Sequence, residues 1–281
     1  MKCLLVWITV LAYVGATPPL LLEENCGDPA NMGNRMAGGK DAMELGNPWM
    51  AMVLAAKPLG FLCGGSLITP WFVLTAAHYL SDEKQYIVRL GEYNRDIYDD
   101  EAVDYDVIKS FTHAYFNKDT HENDIAMLLL ERRVVYTDYI QPICVVLDPG
   151  QKQAVDAASS LRAVGWGETG PNNKTSRILQ TLTMKRTHEQ DCALKYNRTL
   201  SPSQICVTGR APNSQMCNGD SGGPVVGEIE NPLEGGSTKF VQIGIISYSD
   251  LMCEHTNIVT DVNSHGDWIY KVAMKYTPTE I

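Results

Sequence analysis

The chain has 281 residues, which is long enough for one large domain or two smaller lobes with a well-buried core. Hydrophobic residues make up 44% of it and charged residues 20%, an ordinary balance for a globular protein. The formal net charge of -10 at pH 7 disfavours nucleic acid and anionic membranes as partners.

The first 16 residues have the pattern of a secretory signal peptide. Lys2 is basic, an apolar stretch runs from Leu4 to Val14, and small residues follow up to Ala16. The apolar run is too short for a membrane anchor, and no later stretch is long and apolar enough to span a bilayer. We therefore expect residues 1–16 to be removed and the mature protein to be secreted, extracellular and soluble.

The remaining chain predicts a short pro-segment followed by an all-β domain. Residues 17–35 are rich in Pro, Glu, Asn and Gly and are too few for a domain. From residue 36, short β-type runs alternate with Gly, Pro, Asn and Asp turns. The runs include WMAMVLAA, QYIVRLGEY, DIAMLLL, LRAVGWG, GGPVVGEI and FVQIGIISY. Strands at this spacing predict antiparallel barrels or sandwiches.

Two helices are predicted within this pattern. One lies near EQDCALKY, and a short helix at DWIYKVAMKY closes the chain. The second places Ile269, Val272 and Ala273 on one face, which indicates the side that packs against the core.

Cysteines and glycosylation sequons indicate an oxidising compartment. The chain has 8 cysteines, and removal of Cys3 with the signal leaves seven. An odd number leaves at least one cysteine without an intramolecular partner. The sequons at Asn173 and Asn197 predict N-linked glycans.

Three stretches together provide the groups needed to hydrolyse a peptide bond. That reaction needs a nucleophile, a base and donors for the developing oxyanion. LTAAHYL supplies His78 as the base, ENDIAMLLL supplies Asp124 to orient it, and NGDSGGP supplies Ser221 as the nucleophile. Glycines leave the backbone N–H groups of Gly219 and Ser221 free to converge on an oxygen. A lone histidine or a strand-capping aspartate is often structural, but the coincidence of all three motifs favours catalysis.

These motifs resemble the trypsin/chymotrypsin family of secreted serine proteases. The resemblance runs from about Cys26 to the C-terminus and includes NRMAGG, CGGSLITPWFVLTAAH, RLGEYN, NDIAMLLL, QPIC, GWGE, CNGDSGGP and GIISY. RLGEYN and QPIC are similar to arthropod haemolymph proteases, although no clip module is expected before Cys26. The resemblance implies a serine endopeptidase domain over residues 36–281, with two six-stranded antiparallel β-barrels and the active site between them. It implies protein or peptide substrates, with neither cofactor nor catalytic metal required.

The same resemblance implies a zymogen. A trypsin-like protease would cleave between Arg35 and Met36, and the new α-amino group would pair with Asp220 to shape the oxyanion loop. Family members usually begin with Ile-Val or Ile-Ile, so Met36 departs from the pattern. Because methionine is flexible enough to fill an apolar pocket, we expect insertion with some looseness. Serpin-type inhibitors are further partners that the resemblance suggests.

The family pattern also implies three disulfides and leaves one cysteine over. The implied pairs are Cys26–Cys144, Cys192–Cys206 and Cys217–Cys253. The family partner of Cys63 directly follows the catalytic histidine, where this chain has Tyr79. Either Cys63 is an inert buried thiol or it bonds another chain. The first is favoured because free cysteine is usually buried.

The specificity pocket departs from relatives that cut after Arg or Lys. Gln215 stands where those relatives have aspartate, so a buried substrate cation would lack a charge partner. Ser249 and Asn257 stand where open pockets have glycine, and their side chains should narrow the cavity. These residues predict a preference for small or medium uncharged residues at P1, the residue before the cut bond. Alternatively, Gln215 and Asn257 hydrogen-bond each other and leave almost no pocket, as in a regulatory or binding homologue with negligible turnover.

Two further sites follow from the resemblance. Ser247 matches the residue that hydrogen-bonds the catalytic aspartate, and the strand from Ser247 to Ser249 would pair with the substrate backbone. In calcium-binding relatives, the loop matching GEYNRDIYDDEAVDYD supplies ligands, here Glu92 and Asp99. For this loop, a solvated acidic surface is favoured over a Ca²⁺ site.

Overall fold

A computed structural model of the protein describes residues 18–28, 40–81, 83–97, 101–158, 161–168, 175–210, 216, 219–249 and 256–279. Several of the predicted sites lie outside the described residues: the signal peptide at 1–16, Arg35, Met36, Asp99, Asn173, Gln215, and the pair Cys217–Cys253.

The described residues form strands and three α-helices. The strands are β1 (Lys40–Asp41), β2 (Met50–Ala56), β3 (Leu59–Thr69), β4 (Phe72–Thr75), β5 (Tyr86–Leu90), β6 (Val103–Thr112), β7 (Ala126–Leu130), β8 (Leu161–Gly165), β9 (Gln180–Arg186), β10 (Gln204–Gly209), β11 (Pro224–Glu230), β12 (Thr238–Tyr248) and β13 (Thr256–Asp261). The helices are α1 (Lys152–Asp156), α2 (Glu189–Tyr196) and α3 (Gly266–Tyr276).

The first barrel is a closed antiparallel ring in the order β2-β3-β4-β7-β6-β5. Alternation of side chains along its strands explains its core: in β5, Tyr86, Val88 and Leu90 are buried while the residues between them are only half-buried. Strand β7 is buried along its whole length and pairs with β4, with Phe72 opposite Leu129.

The second barrel consists of β8 to β13. Strand β8 pairs with both β9 and β11, which closes the ring β8-β9-β10-β13-β12-β11, and β1 adds to the outer side of β9. Its core contains Leu161, Val225, Val241 and Val259, all with 0 or 1% of their surface exposed. The prediction of two six-stranded antiparallel barrels is therefore confirmed.

The helices match the sequence prediction in part. Helix α2 corresponds to EQDCALKY, and it ends at the exposed sequon residue Asn197, which has a left-handed backbone (φ 49°). Helix α3 buries Ile269 and Ala273 and leaves Val272 half-buried, as its periodicity indicated. The sequence missed α1 because five residues are too few to show a helical period. No helix among the described residues is long and apolar enough to cross a membrane.

Cysteines attach two peripheral segments to this framework. Cys26 is bonded to Cys144, and Cys192 is bonded to Cys206, which ties α2 to β10. Cys63 is a free thiol in β3, completely buried and in contact with Thr75 Oγ1 at 3.5 Å.

The two barrels meet through hydrogen bonds close to the predicted catalytic residues. Ser66 Oγ of β3 donates to Gln242 Oε1 of β12 at 2.7 Å, and both side chains are buried. Gly64 N donates to the carbonyl oxygen of Ser221 at 2.9 Å. The loop carrying Ser221 is therefore held by both barrels.

Candidate active site

Asp124 lies in the turn before β7 and contacts His78, which follows β4. Asp124 Oδ2 lies 2.6 Å from His78 Nδ1, and Asp124 Oδ1 accepts a hydrogen bond from the His78 backbone N–H at 2.9 Å. The carboxylate is fully buried, while 19% of the His78 side chain is exposed. One carboxylate therefore fixes both the position of the His78 backbone and the orientation of its ring.

Other groups complete the surroundings of Asp124. Ser247 Oγ donates to Oδ2 at 2.6 Å, and His121 Nδ1 lies 3.5 Å from the same oxygen. Burial alone would raise the pKa of Asp124, but hydrogen bonds from His121, His78 and Ser247, with the His78 charge, lower it below its ordinary value. The carboxylate is therefore ionised at neutral pH and can stabilise an imidazolium on His78.

Ser221 lies in the glycine-rich turn before β11. Gly222 has φ +80°, and a Cβ there would lie 2.4 Å from Gly64 O and 2.5 Å from Thr75 Oγ1. Gly219 also has a positive φ of +92°. Only glycine allows both this backbone conformation and this close approach to the first barrel. The resulting turn sets the position of Ser221.

Tyr79 lies beside the His78 ring and close to the Ser221 side chain. Its ring centroid is 4.3 Å from that of His78, and its phenol lies within hydrogen-bonding reach of the Ser221 side chain. Burial raises the pKa of Tyr79, so the phenol is a neutral donor and acceptor at neutral pH. Among the described residues, no hydrogen bond joins Ser221 Oγ to the His78 imidazole. Sequence reasoning treated Tyr79 only as a replacement for a cysteine and missed this contact.

The carboxylate of Asp220 packs against Gly165 and Gly167, at and just after the end of β8. Gly167 N donates to Asp220 Oδ1 at 2.7 Å. A Cβ at Gly165 or at Gly167 would lie 2.3 Å from an atom of that carboxyl group. The two glycines therefore make the room that Asp220 occupies. Its predicted partner, the amino group of Met36, lies outside the described residues.

The predicted specificity residues lie on two strands of the second barrel. Ser247 is buried near the end of β12, and Ser249 follows that strand and is half-buried. Asn257 in β13 is 1% exposed, and within the described part of the chain neither polar atom of its side-chain amide has a hydrogen-bond partner. A buried amide without partners is costly, so this side chain has a donor and an acceptor available for water or a substrate group.

The loop considered for Ca²⁺ has a buried carboxylate at Glu92, 7% exposed. Its Oε2 lies 3.4 Å from Arg89 Nη1, so a guanidinium stands beside it. Within the described ranges, the one group of three metal-ligand side chains is elsewhere, at His78, His121 and Asp124. Sequence reasoning overlooked His121, although its place three residues before Asp124 was the available signal.

Comparisons with known proteins agree with this geometry. A family described as Trypsin matches residues 36–269. Melanization protease 1 of Drosophila melanogaster is 31% identical over 281 positions, covering 90% of this chain and 68% of that protein. Chymotrypsin-C of Mus musculus is 31% identical over 278 positions, covering 93% and 97%. The crystal structure of the Drosophila Grass clip serine protease of the Toll pathway superposes with a TM-score of 0.79 at 27% identity, covering 90% of this chain and 75% of that one.

Proposed function

We infer that His78, Asp124 and Ser221 are catalytic residues, since the chain belongs to the trypsin family and is a serine-type endopeptidase. The observation that carries this proposal is the contact between the buried Asp124 carboxylate and His78 Nδ1 at 2.6 Å. This contact keeps the Nδ1 proton in place and leaves Nε2 of the neutral ring as the base.

In the proposed reaction, Ser221 Oγ attacks the carbonyl carbon of the substrate and its proton passes to His78 Nε2. The oxyanion receives hydrogen bonds from the N–H groups of Gly219 and Ser221. His78 then protonates the leaving amine, and the C–N bond breaks to give an acyl-enzyme. Water attacks the ester with His78 again as base, which releases the acid and restores Ser221. Asp124 stabilises the imidazolium in both halves without itself taking the proton.

We further propose that the protein is secreted as a zymogen and activated after Arg35 by a trypsin-like protease. The position of the Asp220 carboxyl group, held against Gly165 and Gly167 and next to Ser221 in the chain, supports this proposal because an amino group that pairs with it would act on the turn that carries Ser221. The relatives include Melanization protease 1 of Drosophila melanogaster and the Clotting factor G beta subunit of Tachypleus tridentatus. Insertion of the Met36 amino group beside Asp220 would align Gly219 with the oxyanion. The exposed Asn197, and Asn173, would carry glycans.

For specificity, we propose a preference for small or medium uncharged P1 residues. The buried, unpartnered amide of Asn257 and the half-buried Ser249 support a neutral pocket narrowed by side chains. Gln215 would supply further amide groups but no charge. A panel of peptide substrates that differ only at P1 tests this proposal. Alanine, valine or leucine substrates should be cleaved fastest, and fastest cleavage after Arg would contradict it.

A second candidate function is a regulatory homologue with negligible turnover, and one observation favours it. The Tyr79 phenol lies close to the Ser221 side chain, and a hydrogen bond between them would compete with His78 for the nucleophile. Labelling with a fluorophosphonate after cleavage at Arg35 separates the two candidates, because the reagent needs an activated serine. The protease predicts stoichiometric labelling that Ser221→Ala abolishes. Absence of labelling in the cleaved, folded chain would favour the regulatory homologue.

A further inference from the structure

His121 brings a second imidazole to the carboxylate that orients His78. Its Nδ1 lies 3.5 Å from Asp124 Oδ2, the same oxygen that His78 Nδ1 approaches at 2.6 Å. One ligand atom from each of the three side chains lies within 4.8 Å of the other two. The proposed reaction needs only one of these imidazoles, so it does not explain His121.

The second barrel holds His121 in this position. Gln204 Nε2 donates to the carbonyl oxygens of both Thr120 and His121 at 3.1 Å, and the Gln204 side chain is buried. The His121 ring lies between two others, 5.2 Å from the His78 ring and 5.0 Å from the Tyr248 ring. The imidazole therefore stands beside Asp124 without any rearrangement of the loop.

We propose that His78, His121 and Asp124 form a regulatory Zn²⁺ site, an inference that rests on the proposed catalytic roles and adds a means of switching them off. Two imidazole nitrogens and one carboxylate oxygen are ligands that Zn²⁺ accepts, and three protein ligands leave its fourth position to water. The His78 and His121 side chains are 19% and 18% exposed, whereas Asp124 is not exposed at all. The ion would therefore enter from the imidazole side and keep its water there.

The distances are close to those that the ion requires. Zn–N and Zn–O bonds of about 2.0–2.2 Å place tetrahedral ligand atoms about 3.3–3.5 Å apart. The His121–Asp124 distance of 3.5 Å already matches this spacing. The His78–Asp124 distance of 2.6 Å must lengthen by about 0.7–0.9 Å, which a small rotation of the partly exposed His78 ring would supply.

Metal binding at this place would stop the proposed reaction. When Zn²⁺ takes Nδ1 of the neutral His78 ring, the proton that was on Nδ1 moves through solvent to Nε2. Nε2 then carries a proton and cannot accept another from Ser221. Inhibition would be reversible because chelation of the metal lets the Nδ1–H···Asp124 hydrogen bond form again.

Titration calorimetry with ZnCl₂ on the full chain carrying Ser221→Ala tests the site without relying on activity. We expect one Zn²⁺ per chain, at least tenfold weaker binding in a second variant that also carries His121→Gln, and no response to MgCl₂. The matched control is His188→Gln, which removes an exposed imidazole outside the cluster and should leave the affinity unchanged. Far-UV circular dichroism checks that each variant is folded.

Two further measurements make the outcome decisive. The visible spectrum of bound Co²⁺ should show the strong bands of a four-coordinate site, which requires no variant at all. In the unmodified chain, ZnCl₂ should slow fluorophosphonate labelling and EDTA should restore it. Equal Zn²⁺ affinity with and without His121, or no binding, would overturn the site. Suppose instead that Zn²⁺ binds tightly, that His121→Gln abolishes this binding, and that fluorophosphonate never labels the unmodified chain. That result would support the metal site and contradict the proposed function.

Discussion

The buried thiol of Cys63 should be almost inert in the folded protein. None of Cys63 is exposed, and burial raises its pKa from 9.0 to about 12, with the hydrogen bond between Cys63 and Thr75 opposing the shift. Because the thiolate is the reacting form, both effects slow alkylation. This prediction separates the inert thiol from the alternative in which Cys63 bonds a second chain.

The expected slowing follows from these two pKa values. At pH 8 a thiol with its ordinary pKa of 9.0 is about one-tenth thiolate, whereas one with a pKa of about 12 is about one ten-thousandth thiolate. Ionisation alone therefore slows alkylation about a thousandfold. Burial adds the free energy of the opening that the reagent needs, so the observed factor should be larger still.

The assay is iodoacetamide labelling at pH 8 with peptide mapping of Cys63, in buffer and in guanidinium chloride. Labelling should be at least about a thousandfold slower in buffer and complete without reductant when the chain is unfolded. The raised pKa also implies that Cys63 favours folding fully below pH 9 and less as pH rises towards 12. Relative to Cys63→Ala, the free energy of unfolding should therefore fall above pH 9. Rapid labelling in buffer, or labelling only after reduction, would refute this reasoning.

Three other changes test the site. Ser247→Ala removes a hydrogen bond to a buried carboxylate and should cost about 1.5–3 kcal/mol of stability at pH 7, measured by urea unfolding. Because the pKa of Asp124 is lowered, its ionised form stabilises the folded protein fully above the ordinary pKa of 3.8 and less as the pH falls below that value. A loss of stability on Ser247→Ala that is as large at pH 2 as at pH 7 would therefore contradict this. Tyr79→Phe should speed fluorophosphonate labelling of Ser221 severalfold, and slower labelling would show that the phenol assists the nucleophile. Gly222→Ala should abolish labelling, because its Cβ would lie 2.4 Å from a backbone oxygen; retained labelling would contradict the proposed rigidity of the turn.

The sequence predicted those features that depend on local patterns. Alternation in runs such as QYIVRLGEY identified strands, and the motif resemblance supplied the way in which they close into two barrels. Ser247 beside Asp124 also followed from the resemblance. Each of these predictions needed only the residues of one stretch or one motif.

The features that the sequence missed depend on contacts between distant segments. Tyr79 of the first barrel lies close to Ser221 where the turn at Gly222 approaches that barrel. His121 stands beside Asp124 because Gln204, 83 residues away, holds its backbone. No periodicity or motif within a single stretch encodes such a pairing, so only the folded chain shows it.

The docking of residues 18–28 has a consequence for the chain after a cut at Arg35. Leu22 N donates to Val145 O at 3.0 Å, Leu21 is 2% exposed, and the Cys26–Cys144 bond spans 118 positions of sequence. The fragment before the cut would thus stay joined to the protease by a disulfide as a light chain, packed against residues 142–147 and β12. Any binding site on that fragment would therefore stay attached to the activated protease.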